Sequence, residues 1–134
     1  MEQVKIIIEK TETGFSAYSQ DVKGIFTVGE NFQELKENIQ EVKNYQVEYL
    51  KETGKISEAE ALENAEIVYA LDLKQFFEYF SMINKSEFAR YIGINPSLLR
   101  QYSHGLCYVS DERMKKIQDG LHKLAKDLSL VVFA

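Results

Sequence analysis

Val4, Ile6 and Ile8 alternate with Lys5, Ile7 and Glu9, a period of two that predicts a strand with one buried face. Thr11-Glu12-Thr13-Gly14 reads as a turn, with Gly14 free to take a positive φ. Phe15 to Ser19 is the returning strand. Asp21-Val22-Lys23-Gly24 is a second turn, and Ile25-Phe26-Thr27-Val28, rich in β-branched and aromatic residues, is a third strand. Together they predict an antiparallel meander.

The period then changes. Asn31 can cap a helix, with Glu34 three residues on as its capping-box partner. Phe32, Leu35, Ile39, Val42, Tyr45 or Gln46, and Tyr49 recur at steps of three and four, predicting one apolar stripe on a helix of about five turns. On this reading the two tyrosines pack into the core. Glu34, Glu37, Gln40, Glu41 and Lys43 fall on the opposite face. Thr53-Gly54 stops the helix, residues 55–66 form a connector with room for one short helix, and Ile67 to Leu71 is a fourth strand. The order β-β-β-α-β predicts an α+β unit with the long helix against one sheet face.

From Asp72 onward the pattern is helical. Asp72 caps a helix through Phe80, and Asn84 caps the next with Glu87 as capping-box partner. Asn95-Pro96 starts a third, with proline at the first helical position, where its missing N–H costs nothing. Ser110 opens a fourth, with Asp111 and Glu112 in the first turn. Leu128 to Phe133 is a short apolar tail that reads as a strand. The expected domains are 1–71 and 72–134.

The stretch from Lys85 to His104 carries the most chemistry. Two helices crossing tightly need a small residue at the crossing, and Ala89 stands there. The turn needs a residue that tolerates left-handed φ, and Gly93 stands there. Phe88, Ile92, Ile94, Leu99 and Tyr102 fall where apolar side chains must fill the wedge. This predicts a helix-turn-helix of the Cro/repressor type, with the helix from Pro96 entering the major groove of DNA. Its outward residues are Asn95, Ser97, Arg100, Gln101 and His104; Arg reads guanine bidentately, while Asn and Gln read adenine. Lys85 and Ser86, at the start of the preceding helix, are candidates for phosphate contact. Tyr108 either lies near the DNA backbone or packs. One such domain buries little surface, so binding is expected from a homodimer on half-sites about 34 Å apart. The apolar tail Leu130-Val131-Val132-Phe133 is a candidate for the dimer contact.

Charge first argues against nucleic acid, because the formal net charge is −5. The halves differ, however. Residues 1–66 hold seven Lys against fourteen Asp and Glu, a balance of −7, while residues 67–134 hold nine Lys and Arg against seven Asp and Glu, a balance of +2. The second half can approach phosphates; the first would be repelled by them and suits a basic partner. No apolar run is long enough to span a bilayer. No charged-then-apolar leader opens the chain, and the single cysteine, Cys107, fits a reducing compartment, so a cytoplasmic protein is expected.

With both halves in view, the chain resembles the HicB antitoxin family over nearly its whole length. In the first half the resemblance rests on Ile7-Ile8-Glu9-Lys10, Gly14-Phe15, Ala17-Tyr18 and the run Asp21-Val22-Lys23-Gly24-Ile25-Phe26-Thr27-Val28-Gly29-Glu30-Asn31. In the second it rests on Arg100-Gln-Tyr-Ser-His-Gly105, Val109-Ser110 and Ile117. Lys23 stands where the family often has proline. The resemblance implies a degenerate RNase H-like first domain that holds a small, basic, RNA-cleaving toxin. It also implies a second domain that binds the operon's own promoter as double-stranded DNA, as a dimer or tetramer.

An enzyme is the opposing class. A metal-dependent nuclease needs clustered carboxylates on strands; the predicted strands carry only Glu9, and Asp21 and Glu30 read as turn and cap residues. His104 with Cys107 lacks the further ligands of a zinc site. A Cys107 nucleophile with His104 or His122 as base is the weakest option. No enzyme activity, cofactor or metal is expected. A stand-alone regulator whose first domain senses a ligand or oligomerises remains the alternative.

Overall fold

The computed structural model describes residues 3–134, which divide into two compact units, 3–75 and 76–134. The first is mixed α/β with an open four-stranded sheet; the second is mostly helical. No helix among the described residues is long and apolar enough to cross a membrane.

In the first unit, β1 (Gln3–Lys10), β2 (Phe15–Ser19) and β3 (Phe26–Gly29) form the expected meander. β4 (Glu66–Leu71) pairs with β1 in parallel, giving the order β3-β2-β1-β4. Register places Val4, Ile6, Ile8, Ala17 and Phe15 on one face. All five are buried, together with Leu35, Ile39, Val47 and Leu50 of α1 (Phe32–Glu52) and Ala59 and Leu62 of α2 (Ile56–Asn64). The connector expected at 55–66 therefore holds a real helix, short but with two core residues. Asn31 caps α1, its Oδ1 accepting the Glu34 backbone N–H at 2.8 Å, and Gly54 with φ +81 closes it.

Three expectations need correction here. The buried stripe of α1 is Leu35, Ile39, Lys43, Val47 and Leu50, so Tyr45 and Tyr49 lie 62% and 57% exposed, outside the core. The apolar reading followed Val42 and the tyrosines. The helix instead turns a lysine inward, because the Lys43 Nζ finds two acceptors, the backbone carbonyls of Ala65 (3.0 Å) and Glu63 (3.3 Å). Those carbonyls end α2, where exposed C=O groups and the helix dipole favour a cation.

Gly14 does not take a positive φ; Gly24, with φ +86, is the left-handed residue of these turns. What requires glycine at 14 is proximity. A Cβ there would sit 2.2 Å from the carbonyl oxygen of Gly29 on the neighbouring strand. The third correction is the tail. Helix α6 (Asp111–Ser129) runs through Leu128, and residues 131–134 have no regular structure, so no strand forms there.

The second unit contains α4 (Lys85–Ile92), α5 (Pro96–Ser103) and α6; α3 (Leu73–Tyr79) leads into it. Asp72 caps α3, accepting the Gln75 N–H at 2.7 Å. Phe77 packs edge-on against Phe88, 6.3 Å between centroids, and Phe88, Ala89, Ile94, Leu99, Tyr102 and Ile117 are buried. α6 lies against α4 at Gly120, where a Cβ would come 2.1 Å from Ile92 Cγ2.

Candidate nucleic-acid interface

The α4–α5 pair is set by its caps and its turn. The Asn84 Oδ1 accepts the Glu87 N–H at 2.9 Å, while the Glu87 carboxylate pairs with Arg90 rather than reaching back to the cap. Gly93 ends α4 in the left-handed conformation at φ +77. There the Ile94 N–H donates to the Ala89 carbonyl at 2.9 Å and the Gly93 N–H to Arg90 at 3.3 Å, which satisfies two of the carbonyls a helix end leaves free. Lys116 adds a third contact, its Nζ donating to the Gly93 carbonyl at 3.2 Å. Asn95 then caps α5, its Oδ1 accepting from Ser97 (2.9 Å) and Leu98 (3.3 Å). Ala89 is fully buried at the crossing, as a tight approach of two helices requires.

Helical spacing sorts α5 into two sides. Leu99, Tyr102 and Ser103 are buried, whereas Ser97, Arg100, Gln101 and the C-cap residue His104 are exposed, a set at steps of three, one and three. The fold brings Ser86, Ser97 and Arg100 together. The guanidinium donates through Nη1 to Ser86 Oγ at 3.0 Å and through Nη2 to Ser97 Oγ at 3.1 Å. Two hydroxyls hold the cation, and among the described residues no carboxylate lies within salt-bridge distance of it. Guanidinium has five donors, so the fork is oriented with donors left to engage an acceptor. Gln101 and His104 stand beside it, both exposed, with no side-chain hydrogen bond among the described residues. Asn95 spends its side-chain oxygen on the cap, and its amide N–H groups remain. Lys85 places its Nζ 5.8 Å from the Phe77 ring centroid, which leaves the charge at the surface. Tyr108 is 84% exposed.

The first unit offers a different surface. Glu37, Glu41, Tyr45, Glu48, Tyr49 and Glu52 all lie exposed on the solvent side of α1. The lysines of this helix lie elsewhere, with Lys43 buried and Lys51 paired to Glu63 at 3.4 Å. The Tyr45 hydroxyl donates to Glu41 Oε1 at 3.2 Å, and that bond, with the charge behind it, raises the phenol above its ordinary pKa. Sequence reasoning placed Glu37 and Glu41 on the solvent side correctly, left Glu48 and Glu52 unplaced, and put Lys43 and the two tyrosines on the wrong sides. The signal that could have moved them is the exact four-residue spacing of Leu35, Ile39, Lys43 and Val47, once a lysine is allowed in a core stripe.

Asp21 Oδ2 accepts the Lys5 backbone N–H at 3.2 Å, a turn-fastening role. Among the described residues, no group of three or more His, Cys, Asp or Glu is placed to hold a metal ion. Comparison of the chain with family models, with curated proteins and with solved structures returns no match.

Proposed function

We propose that this protein is the antitoxin of a type II toxin–antitoxin pair. The first unit, a degenerate RNase H-like domain, holds a small basic RNA-cleaving toxin; the second, a Cro/repressor-type helix-turn-helix, represses the operon by binding its operator as a dimer. The observation that carries the DNA half is the uncompensated Arg100 fork, held by Ser86 and Ser97 on the exposed side of a capped two-helix pair. A cation fixed in direction but not neutralised suits a guanine edge, with Gln101 beside it for adenine and the starts of α4 and α5 toward phosphates.

The toxin half is supported by the carboxylate face of α1. A surface with four exposed glutamates and two exposed tyrosines combines steering charge with the aromatic contact area that protein interfaces favour. The deciding experiment is co-expression with the product of the adjacent gene, expected on this reading to be a small basic protein, scored for relief of growth arrest. A triple variant, Glu41→Lys, Glu48→Lys and Glu52→Lys, should lose the relief and the co-purifying partner while keeping operator binding. Relief that survives this reversal would place the toxin on another surface, and absence of any relief would sink the antitoxin reading.

One observation favours the second reading, a regulator that senses a small molecule. A cleft of about 620 Å³ opens between the Asp21–Gly24 turn, Gln46 and Tyr49 of α1, and Lys55, Glu58 and Leu62. That volume lies within the usual range for ligand sites. A metabolite that changes operator affinity, and fails to do so in Tyr49→Ala, would favour it.

A further inference from the structure

The cleft of about 620 Å³ in the first unit is walled by a turn and two helices. The Asp21–Gly24 turn is tied at its base. The Ser19 hydroxyl accepts the Asp21 and Val22 N–H groups at 3.1 Å each, and the Ser19 N–H donates to the Ile25 carbonyl at 3.1 Å. Opposite, Gly54 at φ +81 reverses the chain, and the Lys55 N–H closes onto the Leu50 carbonyl at 2.9 Å, so that α2 folds back along α1. Leu50 and Leu62, both buried, give the cleft an apolar floor.

The polar groups of the lining are placed but not spent. Among the described residues no carboxylate lies within salt-bridge distance of Lys23 or Lys55, and neither the Gln46 carboxamide nor the Tyr49 hydroxyl makes a side-chain hydrogen bond. Gln46 is seated against the turn. A Cβ at Gly24 would come 2.6 Å from its Oε1, so glycine there serves both the φ of +86 and the carboxamide beside it. Of the two carboxylates in the lining, Asp21 holds the Lys5 N–H at 3.2 Å, and Glu58 stands in the first turn of α2, where the helix dipole favours an anion. A ligand therefore meets two ammonium groups, a carboxamide with donor and acceptor, an exposed phenol ring and an apolar floor.

We infer that the cleft binds an adenine mononucleotide, an inference that rests on reading this cleft as a ligand site and names the ligand's class. Lys23 and Lys55 take the phosphate as point charges. The base lies on the Tyr49 ring, since a base offers a π-face to an aromatic side chain. Its edge meets Gln46: a carboxamide makes two bonds to the N6 donor and N7 acceptor of adenine, but only one to the two acceptors of guanine. Charge separates a mononucleotide from a polymer. Residues 1–66 carry a balance of −7, which repels a polyanion, whereas a single phosphate meets two lysines at short range. The volume lies within the range of about 300–1,000 Å³ usual for small-molecule sites.

The test is titration of the full chain with AMP, followed in ¹H–¹⁵N correlation spectra. The Gln46 side-chain amide, the Gly24 amide and the backbone amides of residues 55–58 should shift together, with a dissociation constant under about 1 mM. GMP should bind at least threefold more weakly. Adenosine and inorganic phosphate, each lacking part of the contacts, should bind at least tenfold more weakly. Lys23→Glu and Lys55→Glu, both at exposed positions, should each weaken AMP tenfold or more while the spectrum of the free protein stays that of the folded chain. The inference is overturned by an absence of shifts up to about 5 mM AMP, by GMP or phosphate binding as tightly as AMP, or by glutamate variants that keep full affinity. AMP that binds without changing operator affinity leaves it standing and removes the ligand-sensing reading. A metabolite of another class that acts through Tyr49 does the reverse, so the two failures are distinguishable.

Discussion

The Arg100 guanidinium reaches back fourteen residues to the hydroxyl of Ser86 at 3.0 Å, joining the exposed side of α5 to the first turn of α4. Both residues are polar and near the surface, and the bond is therefore a matter of direction more than of stability. A neutral acceptor orients an arginine without spending its charge, and Ser97 at 3.1 Å completes the fork.

Arg100→Ala should lower operator affinity by about 1–3 kcal/mol, with the loss confined to one base position. Fluorescence anisotropy over a set of single-base operator variants measures this. Equal loss on every sequence would mean that Arg100 meets phosphate. Ser86→Ala should have a smaller effect of the same kind, because the fork keeps Ser97. For the wild type, affinity should fall steeply as salt rises; a flat response removes the nucleic-acid reading.

Lys43 is a stability residue. Its ammonium is the donor for two carbonyls at the end of α2, and Lys43→Met keeps the apolar stem while removing those bonds. Charge-assisted bonds of this type contribute about 1.5–3 kcal/mol, so the variant should unfold at correspondingly lower urea. An unchanged midpoint would show that water serves those carbonyls equally well.

Gly14→Ala and Gly54→Ala separate two reasons for glycine. Gly54 has φ +81 and open space around it, so alanine there should cost about 1–2 kcal/mol from backbone strain alone. Gly14 has no such φ, yet its new methyl would collide with the Gly29 backbone, and a strand must move to admit it. The Gly14 variant should be the less stable of the two in denaturant titration; the reverse order would mean the β2–β3 edge yields easily.

Tyr45 and Tyr69 should titrate above the ordinary phenol value, Tyr45 through its bond to Glu41 and Tyr69 through burial. A raised folded-state pKa means the folded protein holds its proton longer than the unfolded chain. The contribution to stability is therefore complete below about pH 10, the unfolded value, and is lost as pH climbs through the folded one. Absorbance at 295 nm, compared with Tyr45→Phe and Tyr69→Phe, should assign the late-titrating phenols. In Glu41→Gln, Tyr45 should titrate earlier than in the wild type.

Local physics was legible in the sequence wherever a residue's own neighbours decide its state. The period-two run of β1, the caps Asn31, Asp72, Asn84, Asn95 and Ser110, and the left-handed Gly93 all follow from groups within four residues, and each is found in place. The outward set on α5 follows from the same short-range periodicity.

Tertiary structure decided what needs a partner far along the chain. Lys43 is buried only because α2 ends its carbonyls beside it, twenty and more residues away, and its inward turn carries Tyr45 and Tyr49 out to solvent. Gly14 is required by a strand fifteen residues on, and Ser86 meets Arg100 only once the α4–α5 turn is closed. The apolar pattern along a helix states how wide its buried face is. Which lysine or tyrosine falls on the boundary depends on acceptors and packing that only the folded chain supplies.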